Sequence, residues 1–378
     1  MMEFHDLGAQ YRALQKEIDA AIADVIAKGH FILGEQVADL EDKLAAFAGR
    51  KHCISCANGT DALTLVLMAW GIGAGDAVFT SDFTYFASAG SASVLGAAAI
   101  PVDINPRTFN ISPDALEEAI LRVQREGKLR PRVIIAVDLF GLPADYPQIE
   151  AIAQKHGLLV LEDAAQGFGG SIGERRACSF GRAATTSFFP PKPLGCYGDG
   201  GAVFTDSKEE DLLLRSLRAQ GRSPEDKYDN RLIGMNSRLD TLQAAILLPK
   251  LEAFTRYELD ALNRVAEAYT RELTGVLVTP YVPEGHRCSW AQYSIQLKDS
   301  QEREELRKHL KEQGIPTMVY YPRGIHQQAA YACIGFEDRL FPHTLDVTQK
   351  VLSLPMHPYL TEDEIRKVVQ GIKAFFMK

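Results

Sequence analysis

The chain of 378 residues predicts an α/β fold, a doubly wound and mostly parallel sheet followed by a smaller C-terminal α+β domain. Two observations carry this expectation. Strand-like and helical segments alternate from about residue 52 to about residue 206, as in a parallel sheet whose crossovers are helices. Beyond that stretch the order changes to a long helical run, one strand-like segment and a further helix. The length exceeds a usual single domain, so two are expected, 1–250 and 251–378.

Leu14, Ile18, Ile22, Val25 and Ile26 recur at helical spacing over residues 11–28 and predict an amphipathic helix ahead of the sheet. Strands are then expected near 52–55, 77–81, 97–104, 131–140 and 158–163, with helices between them. Ser112-Pro113 supplies an N-cap and a first-turn proline for one of those helices. Two more strands are expected around 183–189 and 200–206. A helical stretch from about 240 to 273 leads into Gln292-Tyr-Ser-Ile-Gln-Leu297, which reads as a strand, and then into a helix over 301–313. Pro249 interrupts the long helix and no Gly/Ser linker is visible, which puts the domain boundary inside that helix near residue 250.

A formal charge of −8 argues against a general nucleic-acid binder, so an anionic ligand would need local arginines. The N-terminus, Met1-Met-Glu-Phe-His-Asp6, lacks the basic and apolar regions of a signal peptide, and no stretch approaches a membrane span. A cytoplasmic protein is the expectation. Six cysteines in so long a chain do not resemble a disulfide framework. Cys53-x-x-Cys56 invites a metal or redox reading, but it falls at a strand end and no second pair has matching spacing.

The chemistry concentrates on Lys192. Three prolines flank it and four glycines follow within nine residues, a rigid setting that a solvated surface lysine does not need. Twenty-nine positions upstream, the apolar run Leu158–Leu161 ends in Glu162-Asp163, a carboxylate at the C-terminal end of a strand. Taken singly, a lysine is most often a surface charge, and such an aspartate is most often a turn or cap residue. Together they are the minimum equipment for pyridoxal 5′-phosphate (PLP) chemistry: a lysine to condense with the cofactor's aldehyde and an acid to pair with its pyridinium nitrogen. In a doubly wound sheet ligands gather beyond the C-terminal strand ends, where Asn58, Tyr85, Asp163 and Lys192 would converge. Gly59-Thr60 opens a helix directly after a strand, which suits a phosphate but is also a common helix start.

Several blocks resemble the DegT/DnrJ/EryC1/StrS family of PLP-dependent sugar aminotransferases. They are Cys56-Ala-Asn-Gly-Thr-Asp-Ala62, Phe83-Thr-Tyr85, Glu162-Asp-Ala-Ala-Gln166, the Lys192 segment and Asn236-Ser-Arg-Leu-Asp-Thr-Leu-Gln243, in family order along nearly the whole chain. The resemblance implies the PLP fold-type I architecture of aspartate aminotransferase. It implies phosphate contacts from Gly59, Thr60 and Ser187, stacking on the pyridine ring by Tyr85, and a contact from Gln166 to the cofactor's phenolic oxygen. It further implies a homodimer in which Asn236 reaches the neighbouring subunit's cofactor phosphate and Arg238 the carboxylate of amino donor or sugar. Tyr320, Tyr321, Arg323 and His326 correspond to a loop that contacts the nucleotide sugar, although His326 could equally be structural. Two positions depart from the pattern: Pro191 stands where many members have serine, and Tyr320 where the member most resembled has histidine.

The implied reaction takes an amino group from an amino acid, with L-glutamate the expected donor, and gives it to a nucleotide-linked keto sugar. The favoured acceptor is the 3-keto form of UDP-N-acetylglucosaminuronic acid, for bacterial O-antigen biosynthesis; another 3-keto or 4-keto deoxy-sugar nucleotide is the alternative. Two other classes stay open. A PLP-dependent sugar dehydratase shares the fold but typically carries histidine at the position of Lys192. A non-catalytic regulator would have no need of Lys192, Asp163 and Gln166 together.

Overall fold

The computed structural model describes residues 2–223, 225–226 and 228–377. Strands β1 (His52–Cys56), β2 (Asp76–Ser81), β3 (Ala98–Val102), β4 (Arg130–Val137) and β5 (Leu159–Asp163) come first. The short β6 (Ser171–Ile172) and β7 (Arg175–Arg176) precede β8 (Ala183–Ser187) and β9 (Gly201–Thr205). Seven of these form one sheet in the order β1-β9-β8-β5-β4-β2-β3. β9 runs antiparallel to β1 and β8, and the remaining pairs are parallel.

The side chains of β4 show why this sheet is covered on both faces. Val133 and Ile135 pack with Leu63, Leu67 and Leu214, whereas Ile134 and Ala136 pack with Leu116, Ile120 and Ile149. A continuous apolar run therefore serves both faces at a period of two. The second covering layer includes the helix Pro113–Glu126, where Ser112 Oγ accepts from Ala115 N at 3.4 Å and proline occupies the first turn as expected.

The N-terminal helix spans Leu7–Lys28 and buries Leu14, Ile18 and Val25, whereas Ile26 is exposed. A helix over Glu35–Ala48 follows, which the sequence reading did not single out. The long helix continues through Pro249: Thr241–Ala253 runs into a wide π-turn over Phe254–Glu258 and then into Leu259–Leu273. The irregular turn thus lies a few residues beyond the proline.

The C-terminal part adds β10 (His286–Arg287), which pairs with β6, and an antiparallel pair of β11 (Tyr293–Gln296) and β12 (Val351–Leu354). Helices Ser300–Glu312 and Glu362–Phe376 lie beside that pair. One apolar cluster runs from Leu40 and Leu44 through Phe254 to Leu306, Leu310 and Ile372, so buried side chains are continuous across residue 250. The segment before the first helix is tied to this part, with Phe4 O accepting from Met356 N at 3.2 Å.

Candidate active site

The parallel strands end at one edge of the sheet, where Cys56 and Ser187 both stand opposite Gly201 and Asp163 opposite Val137. Beyond that edge lies an open cavity of about 650 Å³. Gly59, Thr60, Tyr85, Asp163, Gln166, Ser187, Lys192, Tyr320 and Tyr321 all line it.

Asp163 closes β5 and is buried. Ser88 Oγ donates to its Oδ2 at 2.8 Å and Ala165 N to its Oδ1 at 3.2 Å. Burial pushes the carboxyl above its ordinary value, while Ser88, Ala165 and the charge of Lys192 pull it down. Lys192 sits on the tight connection between β8 and β9. Lys192 N bonds to Phe189 O at 2.9 Å and Cys196 N to Phe188 O at 2.7 Å. Gly195 belongs there because a Cβ would collide with the Pro190 carbonyl. Burial lowers the Lys192 amine below its ordinary value, with Asp163 acting against it. Among the described residues no hydrogen bond engages its Nζ, so the amine of a half-buried lysine lines the cavity together with a buried acid.

The helix Gly59–Ala69 begins directly after β1, and its cap leaves donors free. Asn58 Oδ1 accepts from Asp61 N at 2.8 Å, and Asn58 O accepts from Ala62 N at 3.0 Å. The N–H groups of Gly59 and Thr60 have no intrahelical acceptor and belong to the positive end of the helix. Gly59 packs so closely on β8 that a Cβ would lie 2.6 Å from Ser187 Cβ. Three potential phosphate ligands thereby share one cradle.

The Gln166 amide is fixed between Phe140 N, which donates to its Oε1 at 2.8 Å, and Tyr321 OH, which accepts from its Nε2 at 3.0 Å. Tyr85 is 59% exposed, so it is an open platform of the cavity rather than a core aromatic. These groups fit PLP: an amine for its aldehyde, an acid for its ring nitrogen, an aromatic face and an anion cradle.

Four expected residues lie elsewhere. Asn236 and Arg238 line an adjoining hollow of about 540 Å³ that shares Asp199 with the cavity. Ser237 anchors this segment, its Oγ accepting from Ala57 N at 3.1 Å beside the end of β1. Arg323 is exposed and outside the cavity lining. The structure does not bring His326 to the cavity. The residue is buried, its ring stacks on Phe341 at 4.2 Å, and Asp82 engages its Nδ1 at 2.6 Å and its backbone N at 2.8 Å. Desolvation raises the Asp82 carboxyl and the bonds to His326 lower it, an arrangement that closes the fold rather than a ligand site.

Sequence reasoning missed Ser88 and His5. Ser88 lies three residues after Tyr85, on the helix Ala87–Ser93 that starts at the rim. His5 lines the cavity from the N-terminal segment, and no motif surrounds it. Cys53 and Cys56 are buried free thiols of β1, and burial pushes Cys56 up to about 12.

The DegT/DnrJ/EryC1/StrS aminotransferase family model matches residues 12–373. A relative from Pseudomonas aeruginosa, UDP-2-acetamido-2-deoxy-3-oxo-D-glucuronate aminotransferase, is 46% identical over 98% of this chain and 99% of its own. A pleiotropic regulatory protein of Geobacillus stearothermophilus is 42% identical, covering 98% and 97%. The crystal structure of a DegT DnrJ EryC1 StrS aminotransferase from Brucella abortus superposes with a TM-score of 0.97 at 45% identity over the full length of both chains. NtdA from Bacillus subtilis, solved with the cofactor PMP bound, gives 0.87 at 28% identity over 96% of this chain and 82% of its own.

Proposed function

We propose, from the premise that this chain belongs to the DegT/DnrJ/EryC1/StrS aminotransferase family, that it aminates the 3-keto form of UDP-N-acetylglucosaminuronic acid. That the chain is an aminotransferase working with PLP comes with the membership. The identity of the acceptor, L-glutamate as donor and a cytoplasmic place in O-antigen biosynthesis belong to the proposal. The observation that carries the chemistry is the meeting of Lys192, Asp163 and the Gly59-Thr60 helix start in one cavity. The acceptor reading is supported by the 46% identity to the Pseudomonas enzyme along 98% of the chain.

When bound, the cofactor supplies an aldehyde that takes up the amino group and a cationic ring that accepts electrons. Each step then falls to a residue of this chain. The N–H groups of Gly59 and Thr60 and the hydroxyl of Ser187 hold the phosphate. The Asp163 carboxylate would hold the proton on the ring nitrogen, and Tyr85 would offer its face to the ring. Lys192 Nζ, whose affinity for a proton burial lowers, would take the proton from the substrate carbon that bears nitrogen and return it one step along. A histidine could not form the resting bond to the aldehyde, so Lys192 separates this reading from a sugar dehydratase.

Asn236 and Arg238 are assigned to the site of a second copy, in a homodimer with shared sites. Their hollow is bordered by Ile32, and Phe31, Leu33 and Ile233 nearby are exposed apolar side chains, which supports burial against a partner. In that arrangement Arg238 offers a bidentate contact to a carboxylate.

The test is acceptor preference. Enzyme in the pyridoxamine form is mixed with the 3-keto uronate and with its neutral C6-hydroxymethyl counterpart. Losing a charge-assisted contact costs about 1.5–3 kcal/mol, so the uronate should react about ten to a hundred times faster. Equal rates, or preference for a 4-keto-6-deoxy sugar, reject the uronate and leave the aminotransferase. Absence of turnover with every keto sugar nucleotide would favour a regulator.

A further inference from the structure

Lys192 stands between two spaces. One is the substrate cavity; behind it lies a smaller open cavity of about 50 Å³, walled by Gln10, Glu258, Trp290, His357 and Tyr359. His5 and Lys192 line both. The main-chain bond between Phe4 and Met356 fixes His5, and the Phe4 ring packs edge-on against the imidazole at 4.8 Å. Its Nε2 is buried and has no hydrogen-bond partner among the described residues. An orphaned ring nitrogen and the amine of a half-buried lysine therefore border the same two spaces, and a buried polar atom such as that nitrogen calls for a partner.

We infer that His5 is a positioning residue for Lys192, its neutral Nε2 accepting a hydrogen bond from the lysine amine whenever that amine is free. The inference rests on the reading of Lys192 as the amine that carries the reaction. The flexible four-carbon stem of lysine lets Nζ turn from the substrate side to the His5 side. An acceptor there stabilises the ammonium that exists after Lys192 has taken a proton, and holds it ready for return.

The surrounding groups keep the imidazole neutral. The Met356 carbonyl alone acts the other way, favouring the charged ring, and burial outweighs it. Lys192 on one side and His357 on the other both oppose a positive charge on His5. The nearby carboxylates are engaged elsewhere: Asp6 caps Ala9 N at 2.7 Å, and Glu258 binds Gln10 Nε2 at 3.0 Å and Tyr359 OH at 2.6 Å. Tyr320 lies beyond Phe4, its ring 6.2 Å from that of Phe4. Burial, His357 and Lys192 together lower His5 to about 4.

The sign follows. A depressed folded value means that the unfolded chain binds more protons between about 6.5 and about 4, so His5 costs stability as pH falls through that window. Over the same range protonation of His5 would turn the acceptor into a second cation beside Lys192.

The experiment follows the nine histidine rings by NMR, in enzyme loaded with pyridoxamine phosphate, with His5 assigned through His5→Gln. His5 should titrate well below 6.5, and Lys192→Met should raise its midpoint by removing a neighbouring positive charge. A midpoint near 6.5 in the parent, or one that Lys192→Met leaves unmoved, overturns the proposal. A second measurement reads the donor half-reaction in single turnover. His5→Leu should lower the maximal rate about tenfold with little change in donor affinity, and His5→Gln, which keeps an acceptor, should recover most of it. Equal rates in the two variants would also overturn the proposal. Borohydride labelling keeps the two readings apart: covalent cofactor on a lysine other than Lys192 would sink the catalytic assignment while the His5 titration still reports the contact.

Discussion

Replacing Asp163 by asparagine separates the charge of this residue from its shape. Asparagine can keep both contacts of the carboxylate, its carbonyl accepting from Ala165 N and its amide donating to Ser88 Oγ. The serine can turn its own proton toward Thr84 Oγ1, which lies 3.4 Å away. What is lost is the negative charge facing the ring nitrogen. Opposite charges about 4 Å apart attract by about 4 kcal/mol at an effective dielectric of 20, worth about three units of ring-nitrogen basicity. The Lys192-mediated proton transfer should therefore slow by about a thousandfold, read from cofactor absorbance in a single-turnover donor half-reaction. The fold should not suffer. Burial holds the Asp163 carboxyl above its ordinary value, so in cofactor-free protein its ionisation costs stability as pH rises from about 3.9 through the folded midpoint. At pH 7 the cofactor-free variant should melt no earlier than the parent. A proton-transfer rate within tenfold of the parent would remove Asp163 from its role, and a large loss of melting temperature would show that its charge is structural.

Two further predictions address the cradle and the shared site. Gly59→Ala puts a methyl 2.6 Å from Ser187 Cβ, so the helix start must move away from β8, and dialysis should strip the cofactor at least about tenfold faster; retention equal to the parent would remove the Gly59–Ser187 cradle as the phosphate site. Mixing inactive Lys192→Ala and inactive Arg238→Ala subunits should restore about a quarter of parent activity, because random pairing in a two-fold dimer gives half hybrids with one intact site each; no recovery despite proven subunit exchange would put both residues in one subunit's site.

The parts of this molecule that were legible in the sequence are those whose chemistry depends on chain neighbours. The end of β5 could be read because its apolar run stops at Glu162-Asp163, whereas β4 ends at Val137, short of the expected 140, and Lys192 could be read because the prolines and glycines that stiffen its loop are adjacent to it. The residues around 320–326 show the limit. Expected together on one loop that contacts the sugar, they separate in space. Tyr320 and Tyr321 face the cavity and Arg323 points outward. At Gly324, where Asp82 leaves no room for a side chain, the chain turns inward and delivers His326 to a buried carboxylate. Asp82 is 244 positions away, so nothing local announces it. Ser88 and His5 escaped for the same reason: each matters through Asp163 or Lys192, which lie far along the chain. The break in the long helix was misplaced by a different route. Pro249 is a strong local signal, but packing carries the helix through it, and Phe254, buried against Phe47 and Phe168, sits where the wide turn begins. Tertiary contact, rather than the missing proline N–H, decides where this helix yields.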